Sequence, residues 1–209
     1  MAEPNHNSRL EAFCDGVFAI ALTLLIIDIK IPPTEKEKIN DTAGLWLALN
    51  HVTPSILAFV LSFIIILIGW VNHHNAIKLV NRSCSSFIYA NGFLLLTVVF
   101  MPFPTALMGE YIFTDHSAPA VILYNVVIAL NAMGWILICK TALKNRLAKN
   151  EKANLQIRKN GKFGFFAFVL YTICAIMAIW FPLAVAIITI ATWIFWLIYG
   201  ISMKHEEMN

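Results

Sequence analysis

Residues 163–201 contain no charged side chain, a run of 39 residues. This feature removes most of fold space. About 20 apolar residues cross the hydrocarbon core of a bilayer, so the run holds two crossings. Trp180, Phe181 and Pro182 sit at its centre. Proline opens a helix more readily than it continues one, so the expectation is two helices joined by a very tight turn.

The rest of the chain follows the same logic. It is 59% hydrophobic and 13% charged, whereas a soluble domain carries roughly 25% charged residues. Further apolar runs give spans at about 9–30, 53–78, 86–108 and 119–142, with the last two at about 162–181 and 182–203. The expected fold is an all-α membrane protein, one six-helix domain over residues 1–209. Asp15 interrupts the first run early and Asp28 ends it, and no small-residue cleavage site follows. The first run therefore reads as a mature helix and not as a signal peptide.

Charge sets the expected orientation. Lys140, Lys144, Arg146, Lys149, Lys152, Arg158, Lys159 and Lys162 face a single acid, Glu151, between the fourth and fifth spans. Lys78, Arg82, Arg9 and Lys204 lie on the same side. Lys and Arg collect on the cytoplasmic face, so both termini are expected inside, in a multi-pass protein of the cell membrane. The basic segment 140–162 reads as a helical extension of the fourth span. Its charge fits attraction to anionic lipid, and no nucleic-acid partner is expected. On the opposite side, 34–50 reads as a loop that starts with the charges Glu35 to Lys38 and turns interfacial around Trp46. The four cysteines are scattered, three of them near the reducing side, which argues against disulfides.

Polar residues inside spans are the costly ones. Asp15 lies just inside the boundary of the first helix, two turns from Arg9, and must face protein or water. Gly16, Ala19 and Ala21 permit close helix approach. Ile20, Thr23, Leu24 and Ile27 fall at i, i+3, i+4 and i+7, on one helical face. That spacing fits a packing stripe or a pore lining with one hydroxyl ring, and spacing alone leaves both open. Trp70, Asn72, His73, His74 and Asn75 close the second helix at the depth of Arg9 and Asp15, and Asn91 begins the third at a similar level. The paired histidines point about 100° apart with no third ligand, so a hydrogen-bonded network is expected instead of a metal site.

Arg9-x-x-x-Phe13-Cys14-Asp15, followed by Gly-Val-Phe-Ala-Ile-Ala-Leu-Thr-Leu-Leu, resembles the first helix of the transmembrane protein 175 family of potassium channels. Trp70 with Asn72, His73 and His74 resembles that family's second helix. Cys14 stands where the family pattern has serine, a weaker hydrogen-bonding group. The resemblance implies a prokaryotic single-repeat form, a homotetramer around one pore lined by the first helix. It implies that Ile20 forms the narrowest point, that Thr23 supplies a polar ring and that Leu24 and Ile27 continue the lining. It also implies that Arg9, Phe13, Cys14 and Asp15 hold that helix through Trp70, His73, His74 and Asn91.

The expected activity is passive potassium-selective conduction, with no cofactor and no metal apart from the permeating potassium. Its partners are other copies of the chain, lipid and monovalent cations. The chain lacks the Thr-Val-Gly-Tyr-Gly segment of a carbonyl filter and has no mid-span carboxylate, so selection falls to aliphatic and hydroxyl side chains. A secondary transporter or proton-coupled carrier is the alternative, although no 3+3 repeat is evident. A lipid-acting enzyme would have only His73, His74 and Asp15 to work with, and the protein is not expected to be an enzyme.

Overall fold

The computed structural model describes residues 7–32, 39 and 41–206, with the side chains of Asp28 and residues 195–206 outside the description. The described chain is helical apart from short turns and one isolated bridge, Val80 to Ala148. Helix α1 spans Ser8–Leu24 and tightens into a 3-10 turn, Leu25–Asp28. Then follow α2 (Thr42–Lys78), α3 (Ser85–Phe100), α4 (Pro102–Tyr111), α5 (Ser117–Lys144), α6 (Glu151–Met177) and α7 (Pro182–Glu206). Five segments are long and apolar enough to cross a membrane: Ser8–Ile27, Thr42–Lys78, Ser85–Tyr111, Ser117–Lys144 and Glu151–Met177. In α7 the described apolar stretch is the shorter Pro182–Ile194.

Three boundaries differ from the sequence expectation, each for a local reason. The second helix starts at Thr42, not near 53, so 42–50 is helix and not interfacial loop. Asp41 caps it, its carboxylate accepting from the Gly44 amide at 2.7 Å, and Pro54 is carried inside the helix. At 37 residues, α2 is about 55 Å long, well beyond a bilayer core of about 30 Å. The charged stretch 35–38 lies outside the described residues. The third span breaks at Met101 into α3 and α4, because Pro102 and Pro104 remove two backbone donors, one on either side of Phe103.

The third difference concerns the basic segment, which extends the fifth span and not the fourth. Helix α5 stops at Lys144 in a reversal where Arg146 adopts φ 52° and the Leu147 amide reaches back to the Ala142 carbonyl at 3.0 Å. This is the 6→1 bond of a Schellman-type stop. Asn150 then caps α6 by accepting from the Ala153 amide at 2.8 Å. The turn is pinned to the end of α2 by the Asn81 amide on the Leu147 carbonyl and the Lys149 amide on the Leu79 carbonyl, both 3.0 Å.

Packing follows the apolar faces. Cys14, Phe18 and Ala21 of α1, with Leu25 of the 3-10 turn, join Ile66, Leu95, Val98, Tyr124 and Tyr171 in the main core. A second core of Ile77, Phe87, Leu94, Ile138, Leu147 and Ile157 lies towards the basic turns. Two glycines permit close helix contacts. A Cβ on Gly109 would stand 2.7 Å from the Ser55 Cα, and one on Gly134 would stand 3.0 Å from the Leu94 Cα.

Candidate functional site

Helix α1 has two different faces. Cys14, Phe18, Ala21 and Leu25, at i, i+4, i+7 and i+11, are fully buried within the chain. On the other side Phe13, Gly16, Ala19, Ile20, Thr23, Leu24 and Ile27 are exposed. Ile20 is 58% and Ile27 66% exposed, and a Cβ on Gly16 would meet nothing within 4 Å. All four residues of the Ile20, Thr23, Leu24, Ile27 stripe therefore lie on a face that the described residues of the chain leave uncovered. Leu22 is half-buried against the core. The Thr23 hydroxyl donates to the Ile20 carbonyl at 2.8 Å, and its oxygen keeps two lone pairs as acceptors.

A polar ladder fastens the first two turns of α1 to the end of α2. The Asn7 amide donates to the Val80 carbonyl at 3.2 Å. Glu11 Oε1 lies 3.1 Å from His74 Nδ1. Asp15 accepts from the Trp70 indole Nε1 at 2.8 Å. The carboxylates sit at i and i+4 on α1, and their partners sit at i and i+4 on α2 with the order reversed. Two antiparallel helices bring such pairs into register. The Trp70 and His74 rings stack at 5.9 Å between centroids, so the two partners also hold one another.

His73 makes a separate joint. Its Nε2 stands 2.8 Å from Asn91 Oδ1, while the Asn91 amide donates to the Phe87 carbonyl at 2.7 Å. The amide bond fixes which end of Asn91 is oxygen, so His73 Nε2 is the donor. Phe18 leans on the same imidazole at 5.5 Å and Trp135 at 6.2 Å. This joint ties α2 to α3, with α1 touching it through an aromatic ring and not through a polar group.

The predicted anchoring residues thus separate. Asp15 with Trp70, and His73 with Asn91, come together. His74 pairs with Glu11, which sequence reasoning missed, although the i, i+4 repeat Asn7, Glu11, Asp15 carried the signal. Cys14 is buried in the apolar core. Phe13 is 63% exposed on the opposite face, and Arg9 is exposed with no ion pair to any described residue. Six residues of helix turn Arg9 well away from Asp15. No group of three or more His, Cys, Asp or Glu side chains is placed to hold a metal among the described residues.

A second polar cluster lies deeper and was not anticipated. Thr105 of α4 donates its hydroxyl proton to the Met101 carbonyl at 2.8 Å and bonds Ser62 Oγ at 2.7 Å through its oxygen. Ser62 also bonds Tyr124 Oη at 3.0 Å. The Met101 carbonyl thus accepts from both the amide and the hydroxyl of Thr105.

Comparison with known proteins adds the following. The profile of the family described as "Endosomal/lysosomal potassium channel TMEM175" matches residues 9–102. A protein of Chamaesiphon minutus named as a potassium channel is 37% identical over 190 residues, covering 89% of this chain and 92% of that one. Another named as a potassium channel, from Streptomyces collinus, is 42% identical over 137 residues, 63% of this chain and 64% of its own. Among solved structures, the crystal structure of a lysosomal potassium-selective channel TMEM175 homolog from Chamaesiphon minutus superposes with a TM-score of 0.81. That match has 34% identity and covers 93% of this chain and 97% of that chain.

Proposed function

This chain belongs to the TMEM175 family of ion channels, and from that premise we propose that it is a potassium channel of the cell membrane, a homotetramer whose pore is lined by α1. The observation that carries the proposal is the uncovered face of α1. Within one subunit Ile20, Thr23, Leu24 and Ile27 have no covering partner, while the opposite face of the same helix is fully buried. Four copies turned inward about one axis would give that face its surroundings. The basic turns gathered at the Lys78 and Lys140–Lys162 end support a cytoplasmic placement of that end and of both termini.

Ion passage then depends on side chains. A ring of four Ile20 side chains offers no oxygen to replace the hydration of an ion, so water and ions leave it together, a barrier by dewetting. The Thr23 ring, one turn further along, supplies hydroxyl oxygens that can partly replace lost water. The Asp15–Trp70 bond, with the Glu11–His74 contact beside it, holds the start of the helix, so the Ile20 ring keeps its diameter. A carrier would use a helix break near mid-membrane as its binding site. Here the break at Met101 is already bonded to Thr105, which favours the channel over the carrier.

Purified protein in a planar bilayer tests the proposal. Unitary potassium currents are expected, and Ile20→Asn should raise conductance and weaken selectivity while the oligomer elutes unchanged. Leu22→Ala, on the half-buried side, should alter conductance far less. Slow coupled flux without unitary steps, or a conductance response to Leu22→Ala but not to Ile20→Asn, would overturn it.

A further inference from the structure

Helix α6 also has two unlike faces. Ile157, Gly164 and Tyr171 are buried, and the glycines meet α5 closely. A Cβ on Gly161 would stand 3.3 Å from Cys139 Cβ, and one on Gly164 would stand 3.3 Å from Ile136 Cγ1. On the opposite side Arg158, Lys159 and Lys162 are exposed. The same side continues through Phe165, Phe166 and Ile173, where the two adjacent rings are 62% and 61% exposed. Neighbours along this stripe are three or four residues apart, so they share one helical face.

The chemistry of the face changes at one point, between Lys162 and Phe165. On the basic side, Arg158 Nε donates to Asn154 Oδ1 at 3.2 Å. Arg158, Lys159 and Lys162 form no ion pair with any described residue. Their charges occupy little more than one turn, about 6 Å of helix, and like charges at that spacing repel. Glu151, the one acid of α6, is about 10 Å from Arg158 along the axis. Lys140, exposed beside the Cys139 that faces Gly161, adds charge at the same depth. Long helical side chains lean towards the N-terminal end, so the basic heads lean away from the apolar stretch while their stems cover the helix. On the apolar side the exposed stripe from Phe165 to Ile176 runs about 16 Å, close to the roughly 15 Å of hydrocarbon in one leaflet.

We propose that this face of α6 binds an anionic phospholipid, its phosphate held by Arg158, Lys159 and Lys162 and its acyl chains laid along Phe165, Phe166 and Ile173. Both halves of the face select that ligand. A free anion would use the charges and leave the rings uncovered. A zwitterionic lipid would cover the rings but bring its own ammonium group against the lysines. The site requires only that α6 crosses the membrane, for which it is long and apolar enough, and it stands whether or not the chain conducts ions.

Native mass spectrometry of the full-length oligomer, released from detergent with added phosphatidylglycerol or phosphatidylcholine, tests the site. Phosphatidylglycerol should be retained in preference to phosphatidylcholine, and millimolar inorganic phosphate should not displace it. At about fivefold per charge, Lys159→Gln with Lys162→Gln should weaken phosphatidylglycerol binding by roughly 25-fold and leave phosphatidylcholine binding unchanged. Lys159→Arg with Lys162→Arg should retain it. Lys78→Gln removes an exposed charge from the end of α2 and should have far less effect. Equal retention of the two lipids, or a loss as large in Lys78→Gln, would mean a diffuse basic field and overturn the proposal. Displacement by inorganic phosphate would make this a free-anion site and overturn it too. So would a glutamine pair that changes the subunit count but not phosphatidylglycerol retention, since the face would then be a contact between copies.

Discussion

Replacing Trp70 by Phe deletes one atom group that matters, the indole N–H that donates to Asp15 at 2.8 Å. It leaves an aromatic ring to lie against His74. A hydrogen bond to a charged group contributes about 1.5–3 kcal/mol. Asp15 is only partly buried, so water recovers some of that, and a smaller ring stacks less well on His74. The expected net loss is about 1–2 kcal/mol. For a chain of this size each kcal/mol lowers Tm by roughly 2–4 °C, so the shift should be roughly 2–8 °C. Thermal unfolding in detergent, read by retention of the oligomer peak on size-exclusion chromatography, measures it. Trp46, which is 70% exposed, gives the control, and Trp46→Phe should shift Tm by less than about 1 °C, as surface substitutions do. Asp15→Asn keeps an oxygen acceptor and should cost less than Trp70→Phe. The double variant should cost less than the two single losses added, because both remove one bond. Strict additivity, or a Trp70→Phe shift no larger than that of Trp46→Phe, would refute the assignment of this bond as the clamp on α1.

Other expectations follow from the same geometry. Thr23→Ala should lower the preference for potassium over sodium without abolishing current, and an unmoved reversal potential in mixed salt would reduce Thr23 to a packing residue. Gly109→Ala puts a Cβ 2.7 Å from the Ser55 backbone, so α4 must retreat by roughly 1 Å to reach ordinary carbon contact. The overpacking cost of about 1–3 kcal/mol, less about 0.5–1 kcal/mol of helix gain, lowers thermal stability. Gly92→Ala, with nothing within 4 Å, should raise stability slightly in the same assay. Cys84, just before α3, has its thiol pKa lowered, first by the Ser86 hydroxyl, whereas Cys14, Cys139 and Cys174 are buried. A membrane-impermeant maleimide should therefore label Cys84 first, at a rate that rises with pH and levels off below the usual thiol range. Labelling from the cytoplasmic side only would match the proposed orientation, and periplasmic labelling would contradict it.

The sequence by itself determined what depends on hydropathy and on period. The charge-free 163–201 run was legible as two helices, and Pro182 marked the start of the second. The two faces of α1 were written in a 3.6-residue repeat, which put Ile20, Thr23 and Ile27 together before any partner was known. The repeat left open which face the subunit would bury, because Cys14, Phe18, Ala21 and Leu25 form an equally good apolar stripe. That choice required α2, α3 and α5 to be packed against one side. Pairing was likewise a tertiary matter. Arg9 and Asp15 are opposite charges close in sequence, yet the helix turns them apart, and Asp15 finds Trp70 55 residues away. The start of α6 depended on a six-residue reversal in which Arg146 takes a positive φ and Asn150 supplies the cap. Propensity alone could not distinguish that reversal from continued helix, because lysines and alanines on either side favour helix equally. The Ser62–Thr105–Tyr124 cluster had no sequence signature at all. Its members are isolated hydroxyls in three different apolar runs, and only the packing of α2, α4 and α5 at the Gly109–Ser55 contact brings them within hydrogen-bonding distance.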